Sequence, residues 1–189
     1  MNIKIDVSQI TLETDRLILR GFLDSDLDDF NEYASVAGVG EMAGWNHHKS
    51  KKESAEILNE FIEQRKTFAL VEKNTGKVIG SLGLERYNED FFQSFSKERG
   101  VEIGYVLSKA YWGKGLMPEA VKEVIRFLFS EDKVDFIACG HFLSNAQSKK
   151  VIEKCGFHFY GNTLFDGAIG CVESASYILR KEDVKGEKF

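Results

Sequence analysis

The sequence contains few cysteines and almost no proline. Cys139, Cys155 and Cys171 are odd in number and widely spaced, so we predict three free thiols rather than a disulfide framework or a zinc site. There is one proline among 189 residues, whereas 43% of the residues are hydrophobic and 12% are aromatic. This composition excludes a disordered or linker-rich protein and predicts a sizeable buried core.

The sequence also lacks long apolar runs and an excess of basic residues. No stretch approaches the roughly 20 apolar residues of a membrane span, and residues 1–10 alternate charged and apolar side chains, unlike a signal peptide. The formal net charge is −5, which argues against the clustered Lys and Arg that hold nucleic-acid phosphates. We therefore expect a cytoplasmic protein that binds neither nucleic acid nor membranes. The length suits one domain, 1–189, with its core at about 10–180.

The spacing of apolar residues predicts a single order of seven strands and four helices. The predicted strands are 16–20, 68–72, 78–84, 101–107, 136–139, 157–164 and 171–179. The predicted helices are one that passes through Ala34 after an acidic start at 24–26, and those at 50–66, 117–129 and 145–155. This order predicts an α/β fold of the α+β kind, with a mixed, mostly antiparallel central sheet flanked by helices. The Phe-rich connection 87–99 gives no periodic signal, and residues 181–189 are expected to form a solvated tail.

A glycine turn between the predicted strand 101–107 and the next helix is the most informative stretch. Gly113 and Gly115 allow backbone N–H groups to converge at a helix N-terminus, whose dipole favours an anion. Lys114 adds a positive charge, so a pyrophosphate is a better candidate than a carboxylate. Pro118 suits the first helical position, because its missing N–H has no partner there. A tight turn without a ligand is the alternative, and neither a dinucleotide fingerprint nor a P-loop pattern is present.

The window Trp112-Gly113-Lys114-Gly115-Leu116-Met117 resembles motif A of the GNAT superfamily of acetyltransferases, [Gln/Arg]-x-x-Gly-x-[Gly/Ala]. Gly115 matches the central glycine, whereas Trp112 and Met117 depart from the pattern. Further segments resemble the branch that acetylates ribosomal-protein N-termini, namely 14–20, 102–105, 145–148 and 153–157. Separated motifs in the right order are more specific than any one of them.

The resemblance implies the GNAT fold of about seven strands and about four helices, acetyl-CoA as the acetyl donor, and a possible homodimer. The pantetheine arm would lie where two strands splay, and the pyrophosphate would lie on residues 113–117. The cofactor-binding residues expected are Tyr105, Val106, Leu107, Trp112, Gly113, Lys114, Gly115, Leu116, Met117, Asn145 and Lys149. Glu41 and Trp45 are expected on the acceptor side, where an acidic wall suits a cationic amine.

Glu102 is the candidate base for acetyl transfer to an amine. An ammonium group has no lone pair, so the amine must lose a proton before it attacks. Strand alternation places Glu102 on one face with Gly104, and a glycine within a strand often marks the close approach of a ligand. The alternative is an exposed glutamate, or one that pairs with Arg99.

Ser148 is the candidate proton donor for the departing thiolate. Ser144 and Gln147 form a capping-box pattern that places Ser148 about one turn inside its helix, facing the sheet. Many GNAT enzymes have a tyrosine donor where this chain has Ile152, so the resemblance to the ribosomal-protein branch assigns the role to Ser148. The alternative is a serine bonded back to its own helix. Asn145 would orient the cofactor arm or cap the helix.

We therefore expect transfer of an acetyl group from acetyl-CoA to a primary amine, by direct attack in a ternary complex. A peptide or protein N-terminal amine is the favoured acceptor, and a small-molecule amine such as a polyamine or an aminoglycoside is the alternative. A non-catalytic CoA-binding sensor on the same fold is the other alternative. His47 and His48 have no carboxylate or cysteine at ligand spacing, so no metal is expected.

Overall fold

Across the residues that the structure describes, the fold is built on one sheet of eight strands. In chain order they are β1 (Thr11–Glu13), β2 (Leu17–Gly21), β3 (Thr67–Glu72), β4 (Val78–Glu85), β5 (Gly100–Leu107), β6 (Phe136–Phe142), β7 (His158–Gly167) and β8 (Gly170–Arg180). They lie in the order β1-β2-β3-β4-β5-β6-β8-β7, and only β5 and β6 run parallel. The structure is a computed structural model that describes residues 1–130 and 133–184. The mixed, mostly antiparallel sheet predicted from the sequence is confirmed.

Helices cover both faces of this sheet. Within the described ranges there are four α-helices, α1 (Leu27–Ala34), α2 (Lys51–Gln64), α3 (Leu116–Ser130) and α4 (Ala146–Lys154). In β3, Phe68 and Leu70 pack with α3 and α4, whereas Ala69 and Val71 pack with α1 and α2. Because strand side chains alternate, these two clusters lie on opposite faces. None of these helices has the length and hydropathy that a membrane span requires.

The prediction of seven strands misses β1. Its three residues pair antiparallel with β2 at the edge of the sheet. A strand this short is not long enough to show alternation, so sequence patterning treats it as part of a polar lead-in. The predicted tail begins with a turn in which Asp183 accepts the Arg180 N–H at 2.9 Å, and residues 185–189 lie outside the described part.

The start of α2 is close to the predicted capping box. Ser50 Oγ accepts the Glu53 N–H at 3.2 Å, as predicted. The Glu53 carboxylate accepts the N–H of Lys49 at 2.7 Å, one residue earlier than a capping box requires. The helix ends at Gln64, because Arg65 adopts a left-handed conformation with φ of 55°.

The predicted capping box of Ser144 and Gln147 is wrong. Asn145 is the N-cap of α4, and its side-chain oxygen accepts the Ser148 N–H at 3.1 Å. An asparagine cap satisfies a backbone donor that the first turn leaves without a partner. As a result Ser148 lies in the first turn of α4, next to the cap.

The parallel pairing of β5 with β6 is short. It extends from Gly100 to Ile103 on β5, beyond which β5 continues alongside β4 and β6 continues alongside β8. The backbone of residues 104–107 therefore has no strand partner on its β6 side in the described chain. The strands β5 and β6 therefore separate alongside residues 105–107, where the resemblance implied that the pantetheine arm would lie.

The connection 87–99 is a packed wall with one short 3₁₀ turn, Gln93–Phe95. Phe92 and Phe95 are buried against Phe136 of β6, with ring centroids 6.4 Å and 4.7 Å from it. Tyr160 of β7 stacks on Phe92 at 4.8 Å. The phenylalanines that gave no periodic signal form an aromatic cluster, since their packing depends on contacts distant in sequence.

Phe136→Ala is expected to lower the free energy of unfolding by about 3–5 kcal/mol, because it leaves a cavity at the centre of this cluster. Phe136 is 0% exposed, whereas Phe159, its matched control, is 59% exposed. Phe159→Ala should change the free energy by about 1 kcal/mol or less. Urea unfolding measures both, and equal losses would contradict the packing described.

Candidate active site

Five consecutive backbone N–H groups lack an acceptor where the loop after β5 enters α3. They belong to residues 113–117, and no hydrogen bond from any of them occurs within the described part of the chain. Gly113 and Gly115 both have φ of +76°, a region that glycine enters without strain. The helix begins at Leu116, two residues earlier than the proline signal predicts, so Pro118 is in its first turn rather than at its first position. Unpaired N–H groups at a helix N-terminus form an anion-binding site.

A cavity of about 490 Å³ extends from this loop along β5 to the start of α4. Nine of the predicted cofactor-binding residues line it: Tyr105, Val106, Leu107, Trp112, Gly113, Gly115, Leu116, Met117 and Asn145. Lys114 and Lys149 do not line it; Lys114 lies over the Tyr111 ring at 4.8 Å, and Lys149 is within 3.8 Å of Glu153. Lys150 and Lys154 of α4 line the cavity instead. Sequence spacing did not identify them, because the face that α4 turns to the cavity depends on its packing.

Trp112 fills the position at which the GNAT motif has Gln or Arg. Its indole N–H donates to the carbonyl oxygen of Leu107 at 2.7 Å. The ring also packs against both apolar clusters of the sheet. The side chain therefore fixes the loop to the end of β5, and its indole N–H is not free for a ligand.

A second cavity, of about 470 Å³, lies between the 41–43 turn, the aromatic wall and β7. Glu102 and Gly104 of β5 form part of its floor. The two cavities share the residues Met42, Ala43, Tyr105 and Ser148. A molecule in one cavity would therefore meet a molecule in the other beside Tyr105 and Ser148.

Glu102 has a partly buried carboxylate, which makes no hydrogen bond or ion pair with the described residues. Burial raises its pKa to about 7, and the negative charge of Glu85, directly opposite on β4, adds to the shift. Glu85 itself is paired with Lys66. Arg99, the alternative partner considered above, binds Asp135 at 2.7 Å. Glu102 is thus a carboxyl group poised to gain or lose a proton near neutral pH.

Ser148 contacts Tyr105, which the sequence predicts only as a cofactor-binding residue. The hydroxyl oxygens of Tyr105 and Ser148 are 2.9 Å apart, so the serine is not simply bonded back to its helix. Burial raises the pKa of Tyr105 well above its ordinary value, so this phenol stays protonated. Asn145 caps the same turn, and its amide donates to the Met42 carbonyl at 3.2 Å. Side-chain alternation along β5 could have indicated this contact, because it places Tyr105 on the face of α3 and α4, opposite to the face of Glu102.

Glu41 and Trp45 lie next to the second cavity but outside both walls. The Glu41 carboxylate accepts from His47 Nδ1 at 2.7 Å and from the N–H of Gly38 at 2.8 Å. The His47 contact is the main reason that the pKa of Glu41 is lowered to about 2. Trp45 packs against the His48 ring at 5.1 Å. Glu41 lies in the 41–43 turn and Trp45 lies just after it. The other two residues of the turn, Met42 and Ala43, line both cavities.

The match to known families covers most of the chain. Residues 16–158 match the family described as an acetyltransferase (GNAT) domain. The chain belongs to this GNAT family. Among curated relatives, the uncharacterised N-acetyltransferase YoaA of Bacillus subtilis strain 168 is 28% identical over 155 residues, which are 79% of this chain and 84% of YoaA. The protein is therefore a GNAT N-acetyltransferase.

Solved GNAT structures share the fold. A GNAT acetyltransferase from Bacillus anthracis has a TM-score of 0.79 at 20% identity, over 92% of this chain and 99% of that one. RimL, a ribosomal L7/L12 α-N-protein acetyltransferase solved with coenzyme A, has a TM-score of 0.72 at 14% identity, over 90% of this chain and 97% of that one. MccE, a microcin C7 self-immunity acetyltransferase solved with acetyl-CoA and AMP, has a TM-score of 0.71 at 15% identity, over 88% of this chain and 93% of that one. The GNAT fold uses acetyl-CoA, and the two neighbours RimL and MccE were solved with coenzyme A or acetyl-CoA.

The pH dependence of stability tests the environment of Glu102. Folding favours its protonated form, so its stabilising contribution is complete below pH 4.5 and is lost as the pH rises to about 7. Glu102→Gln has no such titration. The free energy of unfolding of the wild type should therefore fall relative to that of the variant across this range. Urea unfolding at several pH values measures the difference, with the exposed Glu60→Gln as the control, and a constant difference would contradict the raised pKa.

Proposed function

We propose that the protein transfers the acetyl group of acetyl-CoA to the N-terminal amine of a peptide or protein, with Glu102 as base and Ser148 as acid. The observation that carries the proposal is the meeting of two cavities beside Tyr105 and Ser148. One cavity begins at an anion site, and the other has an unpaired carboxyl group in its floor. This is the arrangement that direct transfer between two bound substrates requires.

The first cavity fits the donor. The N–H groups of residues 113–117 suit a diphosphate, and Lys150 and Lys154 add positive charge on the facing wall. The free edge of β5 at 104–107 offers backbone groups to an amide-containing arm. When bound, acetyl-CoA supplies an activated thioester.

Glu102 and Ser148 would act on the protons of the reaction. The attacking amine forms the N–C bond, the C–S bond breaks, and the amine proton passes to Glu102 directly or through water. A carboxyl group with a pKa of about 7 suits this task near neutral pH. Ser148 donates its hydroxyl proton to the departing sulfur and regains one from water, while the Tyr105 hydroxyl, 2.9 Å away, holds the serine by a hydrogen bond.

The walls of the second cavity favour an amine that is attached to an apolar group. The aromatic and aliphatic residues among them include Met42, Phe91, Phe92, Phe142, Leu164 and Phe165. Its acids, Glu85, Glu102 and Asp166, are offset by Arg86 within the wall and by the Lys66 that pairs with Glu85. A polyamine or aminoglycoside would need a more acidic surface, so it remains the second candidate. RimL, whose name gives a ribosomal protein α-amine as its acceptor, shares this fold and supports the first candidate.

Replacement of the two proposed groups tests their roles. Glu102→Gln should lower kcat/KM by about 100-fold or more, and Ser148→Ala by about 10-fold, because a thiolate can leave without a proton donor more easily than an ammonium can attack. Release of free thiol from acetyl-CoA measures the rate, with Glu60→Gln as the matched control. Unchanged rates in both active-site variants would show that these roles are wrong.

An acceptor panel separates the candidate substrates. Peptides with a free N-terminus and an apolar first residue should react faster than the same peptides with a blocked N-terminus, a polyamine or an aminoglycoside. Faster turnover of a polycation would assign the protein to the small-molecule alternative. Tight acetyl-CoA binding without turnover of any amine would favour the sensor.

The cytoplasmic location and the homodimer remain predictions, and light scattering tests the dimer.

A further inference from the structure

Arg16, which directly precedes β2, reaches the loop at the start of α3. Its Nε and Nη2 atoms lie 2.7 Å and 2.6 Å from Oε2 of Glu119, in the first turn of α3. Its Nη1 donates to the carbonyl oxygen of Lys114 at 2.9 Å. One planar guanidinium group thus joins the N-terminal strand region to both the helix and the glycine loop.

Glu119 is held in place from the same segment. Its Oε1 accepts from the Thr14 hydroxyl at 2.5 Å and from the Arg16 backbone N–H at 3.0 Å. With the guanidinium contacts, both carboxylate oxygens are occupied. An isolated surface ion pair contributes little, whereas a fixed fork held by several hydrogen bonds has a defined geometry.

The contact with Lys114 determines the direction of an anion-binding amide. In a planar trans peptide, the carbonyl oxygen and the following N–H point in opposite directions. The Lys114 carbonyl points to Arg16, so the Gly115 N–H points away from Arg16, and Gly115 lines the first cavity. Arg16 itself does not line that cavity. The Trp112 side chain cannot hold the Lys114 carbonyl in place of Arg16, because its indole N–H donates to the carbonyl oxygen of Leu107.

We infer that Arg16 is a positioning residue for the donor diphosphate. Anchored by Glu119, it holds the 113–117 loop with its N–H groups directed into the cavity. This inference rests on the proposed function, since it assumes that the donor carries a diphosphate. It concerns the Thr14-Asp15-Arg16 segment, to which the proposed mechanism gives no role.

Two acetyl donors, one with the nucleotide-diphosphate part of coenzyme A and one without it, provide the test. Acetyl-CoA contains it and acetylpantetheine does not, so the ratio of their kcat/KM values reports the contribution of the nucleotide-diphosphate part alone. Arg16→Met should lower kcat/KM for acetyl-CoA by about 10-fold, chiefly through KM, and change that for acetylpantetheine by less than about 2-fold. Arg126→Met is the matched control, because Arg126 forms an ion pair with Glu123 on α3, away from the loop. Its ratio should equal that of the wild type.

The outcomes separate the two proposals. If the wild type shows no preference for acetyl-CoA, the proposed donor site fails. If the wild type prefers acetyl-CoA and Arg16→Met keeps the same ratio, the inference about Arg16 is wrong. A general loss of folding would lower both rates and leave the ratio unchanged, which also counts against it. If Arg16→Met is insoluble, Glu119→Gln provides the same readout, with a smaller shift of the ratio in the same direction.

Discussion

The structure depends on a group of backbone donors that the fold leaves without acceptors. A polar group without a partner is unfavourable once water is excluded, so the loop at residues 113–117 is stable only when solvated or bound to an anion. Two features keep these N–H groups available. Two glycines with positive φ turn the chain, and Arg16 holds the Lys114 carbonyl on the opposite side.

The sheet places the two halves of the proposed reaction on opposite sides of one strand. Glu102 and Tyr105 are three residues apart on β5, so their side chains point to opposite faces. Glu102 faces the second cavity, and Tyr105 reaches Ser148 on the side of α3 and α4. Because β5 separates from β6 just beyond Ile103, the space between these faces is open where the cavities meet. Asn145 joins this point to the 41–43 turn through its bond to Met42.

Sequence patterns predicted the parts of the fold that have strong local periodicity. The β3–β4 hairpin, α3 and the glycine loop are long or distinctive, and the structure has them close to the predicted bounds. The missing parts depend on contacts between residues far apart in the chain. The β1 strand is too short to show a pattern, and the aromatic wall forms only around Phe136. Likewise, the bond from Arg16 to Lys114 spans 98 residues, which no local spacing can reveal.

Backbone amide spectroscopy tests most directly whether the unpaired N–H groups hold the donor. In ¹H–¹⁵N spectra recorded during titration with acetyl-CoA, the amides of residues 113–117 should shift most and saturate together. Acetylpantetheine, which has no diphosphate, should leave them nearly unmoved while it shifts residues 104–107. Saturable binding of acetyl-CoA with the 113–117 amides unmoved would contradict the account.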